Sequence, residues 1–245
     1  MTSADRPARP TPEEIAALPA FESLPLERIT LVETAAQAEA AHEAIARVRA
    51  VGFDTESKPT FTRDAVRDGP HVIQLALSDR AYVVQVNAGA PLEFLRVVLE
   101  STSIAKVGFG LDSDRGPLQR KLGIAVHPIV ELSQLLRGLG HRQALGAKAA
   151  VAVVLGRRLH KSRSVTTSNW ALPRLSPAQL LYAANDAYAA LKVFEAMGSP
   201  WPAVAAQAPR VAGVAAATSS EAGPAAPPEP DRPQPRRPQR ARLLG

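Results

Sequence analysis

The stretch that most constrains the fold lies near the end of the interpretable sequence, Leu180-Leu181-Tyr182-Ala183-Ala184-Asn185-Asp186-Ala187-Tyr188-Ala189-Ala190-Leu191. It follows Ser176-Pro177-Ala178-Gln179, which supplies an N-cap, a proline at the first helical position and a capping-box glutamine. A helix is therefore predicted from there to about Met197. Its surface is apolar almost all round, and a helix of that kind is buried. Asp186 sits in the middle of it, and a buried carboxylate wants a cation or a hydrogen-bond partner. Tyr182 lies four residues earlier, on the same helix face as Asp186.

Upstream, residues 28–198 read as one α/β domain. Ile29–Val32 is a short strand, and Thr34 caps an alanine-rich helix predicted to run to about Ala50. Val51–Asp54 is a strand. His71–Ser78 alternates, with Ile73, Leu75 and Leu77 on one face and Val72, Gln74 and Ala76 on the other. Ser78-Asp79-Arg80 turns the chain into Tyr82–Val86, which makes a hairpin. A helix over Pro91–Glu100, a strand over Ile104–Phe109, a helix over Ser113–Leu122 and a short strand at Ile129–Glu131 follow. Helices fill most of 131–155. The sum is a mixed sheet flanked by helices. Residues 1–27 carry five prolines and are expected to form a loosely ordered arm. From Ser199 onward ten of the 22 prolines gather among Ala and Arg, too little apolar surface to offset ordering entropy, so 199–245 is expected to be a disordered tail.

Three segments place acids where chemistry needs them. Val51-Gly52-Phe53-Asp54-Thr55-Glu56 ends a hydrophobic strand in two carboxylates spaced i, i+2, hence on one face. Their mutual repulsion is costly unless a divalent ion stands between them. Lys106-Val107-Gly108-Phe109-Gly110-Leu111-Asp112-Ser113-Asp114 runs from a strand through a glycine-bearing turn to a helix start, where Asp112 competes with Asp114 for the role of ligand and both are also ordinary capping residues. Tyr182 and Asp186 form the third. Each alone has a bland reading as a surface acid or a core tyrosine. Phosphodiester hydrolysis by two metal ions needs acids from separate segments in one cleft. A phenol, with an ordinary pKa of ~10, would orient water rather than act as a free base. The chain has no cysteine, so any metal must use oxygen or imidazole ligands, and oxygen ligands select Mg²⁺ or Mn²⁺. The five histidines show no ligand spacing.

The order Asp54-x-Glu56, Asp114, Tyr182-x-x-x-Asp186 is similar to the three motifs of the DEDDy 3′→5′ exonucleases. His71-Val-Ile-Gln-Leu-Ala-Leu, Lys106-Val-Gly-Phe-Gly-Leu, Ser168-Asn169-Trp170 and the Tyr182–Asp186 run resemble the Werner-type exonuclease domain and its bacterial relatives over roughly 28–197. The resemblance implies a ribonuclease H-like fold. It implies that Asp54, Glu56 and Asp186 ligate a first ion, that Asp54 bridges to a second held by Asp114 through water, and that Tyr182 positions the attacking water. The helical domain that follows the nuclease in ribonuclease D is not matched by the proline-rich tail, which weighs against a ribonuclease D identity.

Charge is consistent with a polyanionic partner. Net charge is +6, yet no Asp or Glu lies between Glu131 and Asp186, where eight Lys and Arg residues fall. Within that stretch Arg157, Arg158, Lys161 and Arg163 are expected to hold the phosphates of a single-stranded or 3′-terminal nucleic acid without reading sequence. Trp170 reads as core, and Phe61 as a weak wedge against a terminal base. No apolar run reaches the ~18 residues of a membrane span, and no signal-peptide core precedes the domain, so a soluble cytoplasmic protein is expected. The reading is thus a metal-dependent 3′→5′ exonuclease acting on DNA. The alternatives are an exoribonuclease that trims RNA 3′ ends and a nucleic-acid-binding module without catalysis.

Overall fold

A computed structural model describes residues 9–60, 68–86, 89–141 and 143–200. Its elements are α1 (Pro12–Ala17), β1 (Ile29–Leu31), α2 (Ala35–Ile45), β2 (Ala50–Glu56), β3 (Val72–Ala76), β4 (Ala81–Gln85), α3 (Leu92–Glu100), β5 (Ala105–Gly108), α4 (Asp112–Leu122), β6 (Ile129–Glu131), α5 (Leu132–Gly138), α6 (Ala147–Leu155), α7 (Arg163–Thr166) and α8 (Pro177–Ala196). The six strands form one mixed sheet in the order β1-β4-β3-β2-β5-β6. The β2–β3–β4 run is antiparallel; β1 joins β4, β5 joins β2 and β6 joins β5 in parallel.

The period-2 patterning decides which face each helix covers. Val51, Phe53, Ile73 and Leu75 point to one side and pack with Ala41 and Ile45 of α2 and Leu95 and Leu99 of α3. Val72 and Ala76 point to the other and meet Ala183, Ala184 and Ala187 of α8. The C-terminal half of α8 continues across Ala105, Val107 and Val130 and against α6. Both faces of the sheet are thereby covered, which is why β3 is buried at every position. The all-round apolar surface of α8 is accounted for in the same way: sheet on one side, α6 and the N-terminal segment on the other. The Ser176 capping box begins α8 as expected.

Two expectations need correction. The helix from Thr34 stops at Ile45, not Ala50, because Ala50 is already the first residue of β2 and pairs with Ala105 of β5. The N-terminal arm is not loose over 9–27. Thr11 and Glu14 form a reciprocal capping box that starts α1. The backbone then pairs with that of Arg158, Phe21 N donating to Arg158 O (3.0 Å) and Arg158 N to Pro19 O (2.8 Å). Leu24 is buried, its backbone clasped by the Asn185 side chain through Leu24 N to Oδ1 (2.7 Å) and Nδ2 to Leu24 O (3.1 Å). The proposed tail from 201, residues 1–8 and Phe61 lie outside the described residues.

Candidate active site

Residues 52, 54 and 56 of β2 share the face that α8 covers. Gly52 is what allows the close approach: a Cβ there would stand 2.0 Å from the backbone oxygen of Ala187. With strand and helix in that contact, Asp186 comes to the end of β2. Carboxylate oxygens of Asp54, Glu56 and Asp186 all lie within 4.8 Å of one another. These are the residues that the sequence pattern paired from segments 130 positions apart.

Asp114 stands beside this trio but not in it. Thr55, on the opposite face of β2, donates from Oγ1 to Asp114 Oδ1 at 2.8 Å. The start of α4 is pinned from β6, where Glu131 Oε2 accepts from the Leu111 amide at 2.8 Å. Asp112 is exposed and turned away, its Oδ2 accepting from Gln134 Nε2 at 2.9 Å. Of the two acids left open by the sequence, Asp114 is the one that faces β2.

The electrostatics are those of acids crowded out of water. Burial, then the charges of Asp186 and Asp114, hold Asp54 well above the ordinary carboxylate range. Burial and the charges of Asp54 and Asp186 raise Glu56 to about 9. Burial raises Asp114 to about 6 against the opposing Thr55 hydrogen bond. Burial also raises Asp186, which is 6% exposed, while Lys161, Tyr182 and Lys148 pull it back.

Lys161 holds a place different from the one expected. Its Nζ lies 2.7 Å from Asp186 Oδ2 and 5.5 Å from the centre of the Tyr182 ring. Burial works against its charge, but Asp186 and its hydrogen bond outweigh that and raise its pKa. It is a counter-ion of the acid cluster rather than a free surface cation. Arg158 is also committed, its Nη1 donating to Ala16 O at 2.7 Å and so tying down α1. Arg157 and Arg163 are exposed. Neither role was signalled by composition, because both depend on partners distant in sequence.

Tyr182 accepts from Thr166 Oγ1 at 2.9 Å. Burial first, then the Asp186 charge, raises its phenol to about 12, so it remains protonated at neutral pH and acts as a donor. Its ring packs 5.9 Å from that of Trp170, which is fully buried and therefore core. The donor set suits hard divalent cations: it is all oxygen, it carries more acid than the site can ionise alone, and a lysine ammonium already stands against one of its carboxylates.

The 3′–5′ exonuclease family model matches residues 29–200. The chain is 33% identical over 152 residues to the mouse bifunctional 3′–5′ exonuclease/ATP-dependent helicase WRN, covering 61% of this chain and 11% of that protein. It is 27% identical over 150 residues to a 3′–5′ exonuclease of Arabidopsis thaliana, covering 60% of this chain and 52% of that one. The chain thus spans about half or less of the curated relatives it matches. Among solved structures it resembles the EXO domain of Aedes aegypti Nibbler, with a TM-score of 0.63 at 24% identity over 75% of this chain and 94% of that one. It also resembles Escherichia coli RNase D, an exoribonuclease, with a TM-score of 0.60 at 20% identity over 73% of this chain and 48% of that one. The mixed sheet is that of the ribonuclease H-like exonucleases, and the chain belongs to the DEDDy group of the 3′–5′ exonuclease family.

Proposed function

We propose that this protein is a metal-dependent exonuclease that removes nucleotides from the 3′ end of a nucleic acid strand, with DNA as the substrate. The observation that carries the proposal is the convergence of Asp54, Glu56 and Asp186 within 4.8 Å. Asp54, Glu56 and Asp186 would hold one divalent cation, Mg²⁺ or Mn²⁺, and Asp54 with Asp114 a second. Bound there, such ions supply Lewis acidity toward the attacking water and the departing 3′ oxygen. Tyr182, held by Thr166 and kept protonated, orients the water by donating or accepting a hydrogen bond rather than by taking its proton. Lys161 offsets the charge of the acids, so that a polyanion can approach them. Arg157 and Arg163, both exposed, would steer phosphates toward the site.

The motif resemblance to Werner-type domains supports DNA. The likeness to an exoribonuclease fold supports the second reading, RNA 3′-end trimming. Matched 5′-labelled DNA and RNA single strands incubated with Mg²⁺ or Mn²⁺ test both. Ladders shortened from the 3′ end are expected, abolished by EDTA. Asp54→Ala should be slower by ~100-fold or more, the scale of a lost metal-dependent contribution. Equal digestion by wild type and Asp54→Ala would overturn the assignment of the site.

A further inference from the structure

Beside the acid cluster lies a cavity of about 650 Å³. One wall is the N-terminal segment, with Pro12 and Ile15 of α1. The other is α6 and the chain from Arg158 to Lys161, with Ala149 and Leu159. Four cations line it, Arg9, Lys148, Arg158 and Lys161, and among the described residues no carboxylate does. Lys161 belongs to both places: it lines the cavity and its Nζ touches Asp186. The cavity therefore lies next to the acid cluster, with Lys161 between them.

Size, charge and floor select the ligand. The volume falls within the ~300–1,000 Å³ of small-molecule sites, ample for one nucleotide. Lys161 and Arg158 are held by Asp186 and the Ala16 carbonyl, which leaves Arg9 and Lys148 to suit a phosphate, and proline, isoleucine and leucine side chains offer an apolar surface to a base or sugar without hydrogen-bond readout. Resting on the exonuclease reading, we propose that this cavity is a second nucleotide subsite, taking a nucleoside phosphate next to the one being cleaved, and that α1 is its outer wall. The site is then assembled only when residues 9–24 are docked on Arg158 and Asn185.

The test uses the full chain and two variants in the outer wall, Arg9→Ser and Ile15→Asp. Three probes are compared: a single-stranded oligonucleotide, the p-nitrophenyl ester of thymidine 5′-monophosphate, which fills the reacting position alone, and thymidine 5′-monophosphate as inhibitor. Both variants should raise KM for the oligonucleotide, about 3-fold for Arg9→Ser and 10-fold for Ile15→Asp, with kcat and ester hydrolysis unchanged. Metal-free binding of a labelled oligonucleotide, read by fluorescence anisotropy in EDTA, should weaken by the same factors. Inhibition by thymidine monophosphate that disappears in Ile15→Asp would put released product in the cavity; inhibition that persists would put the strand's own nucleotide there. The subsite is overturned if the variants bind and cleave the oligonucleotide like wild type, or if ester and oligonucleotide hydrolysis fall together. Loss of the exonuclease reading would look different: wild type would hydrolyse neither substrate, while the anisotropy comparison would still decide the cavity.

Discussion

Replacing Glu56 by glutamine should stabilise the protein in the absence of metal while removing its response to metal. The ordinary pKa of a glutamate is 4.5, and burial beside Asp54 and Asp186 raises that of Glu56 to about 9. Between those values the folded chain keeps a proton that the unfolded chain has released. Stability is therefore fully present below pH 4.5 and is lost progressively as pH rises toward 9. At pH 7 about 2.5 pH of that window has been crossed, and at ~1.4 kcal/mol per pH the loss has an upper limit of about 3.4 kcal/mol. Local relaxation and water entry reduce this, so ~1–3 kcal/mol is expected. Glutamine keeps the shape and hydrogen-bonding capacity of the side chain and has no proton to lose. In EDTA at pH 7 the Glu56→Gln protein should melt roughly 2–12 °C above wild type, at the ~2–4 °C per kcal/mol of a domain this size. The gap should close at pH 4.5. In Mn²⁺ at ~100 times its Kd, wild type should gain about 2.7 kcal/mol and the variant much less. Melting temperatures in EDTA that match at both pH 7 and pH 4.5 would refute the claim that crowded carboxylates are what a cation relieves here.

Other substitutions separate the parts of the site. Tyr182→Phe should lower kcat by ~10–100-fold with KM and the Mn²⁺-induced melting shift retained, as expected for a group that orients water without ligating; a lost metal shift would make it a ligand. Asp114→Asn should depress activity and Asp112→Asn should not, because only Asp114 faces Thr55 and β2; steady-state rates on one oligonucleotide decide between them. Gly52→Ala should destabilise by ~1–3 kcal/mol or more in denaturant titration, since its methyl group meets the Ala187 carbonyl and must push α8 off β2. It should also impair activity beyond the stability loss, because α8 carries Asp186; a variant with normal rates would show that this contact does not set the site.

Much of this was legible in the sequence because it is periodic. The two faces of β3 follow from alternation, and each meets its own helical layer. Asp54 and Glu56 share a face for the same reason, and Tyr182 and Asp186 share one through the helical repeat. The capping box at Thr11 and Glu14 was also there to be read, and it marks a helix hidden among the N-terminal prolines. The early end of α2 carried no signal: Ala46 through Arg49 are acceptable helix residues, and only the pairing of β2 with β5 takes Ala50 out of the helix. Lys161 was beyond any local rule. Its charge looked like part of a basic surface, and nothing near it in sequence says that Asp186 stands 2.7 Å away. A lysine in a one-sign run has two destinations, solvent or a buried acid, and the buried acid decides which. A buried Asp186 on an apolar helix wants a cation or a hydrogen-bond partner, and the acid-free stretch that precedes it supplies one in Lys161.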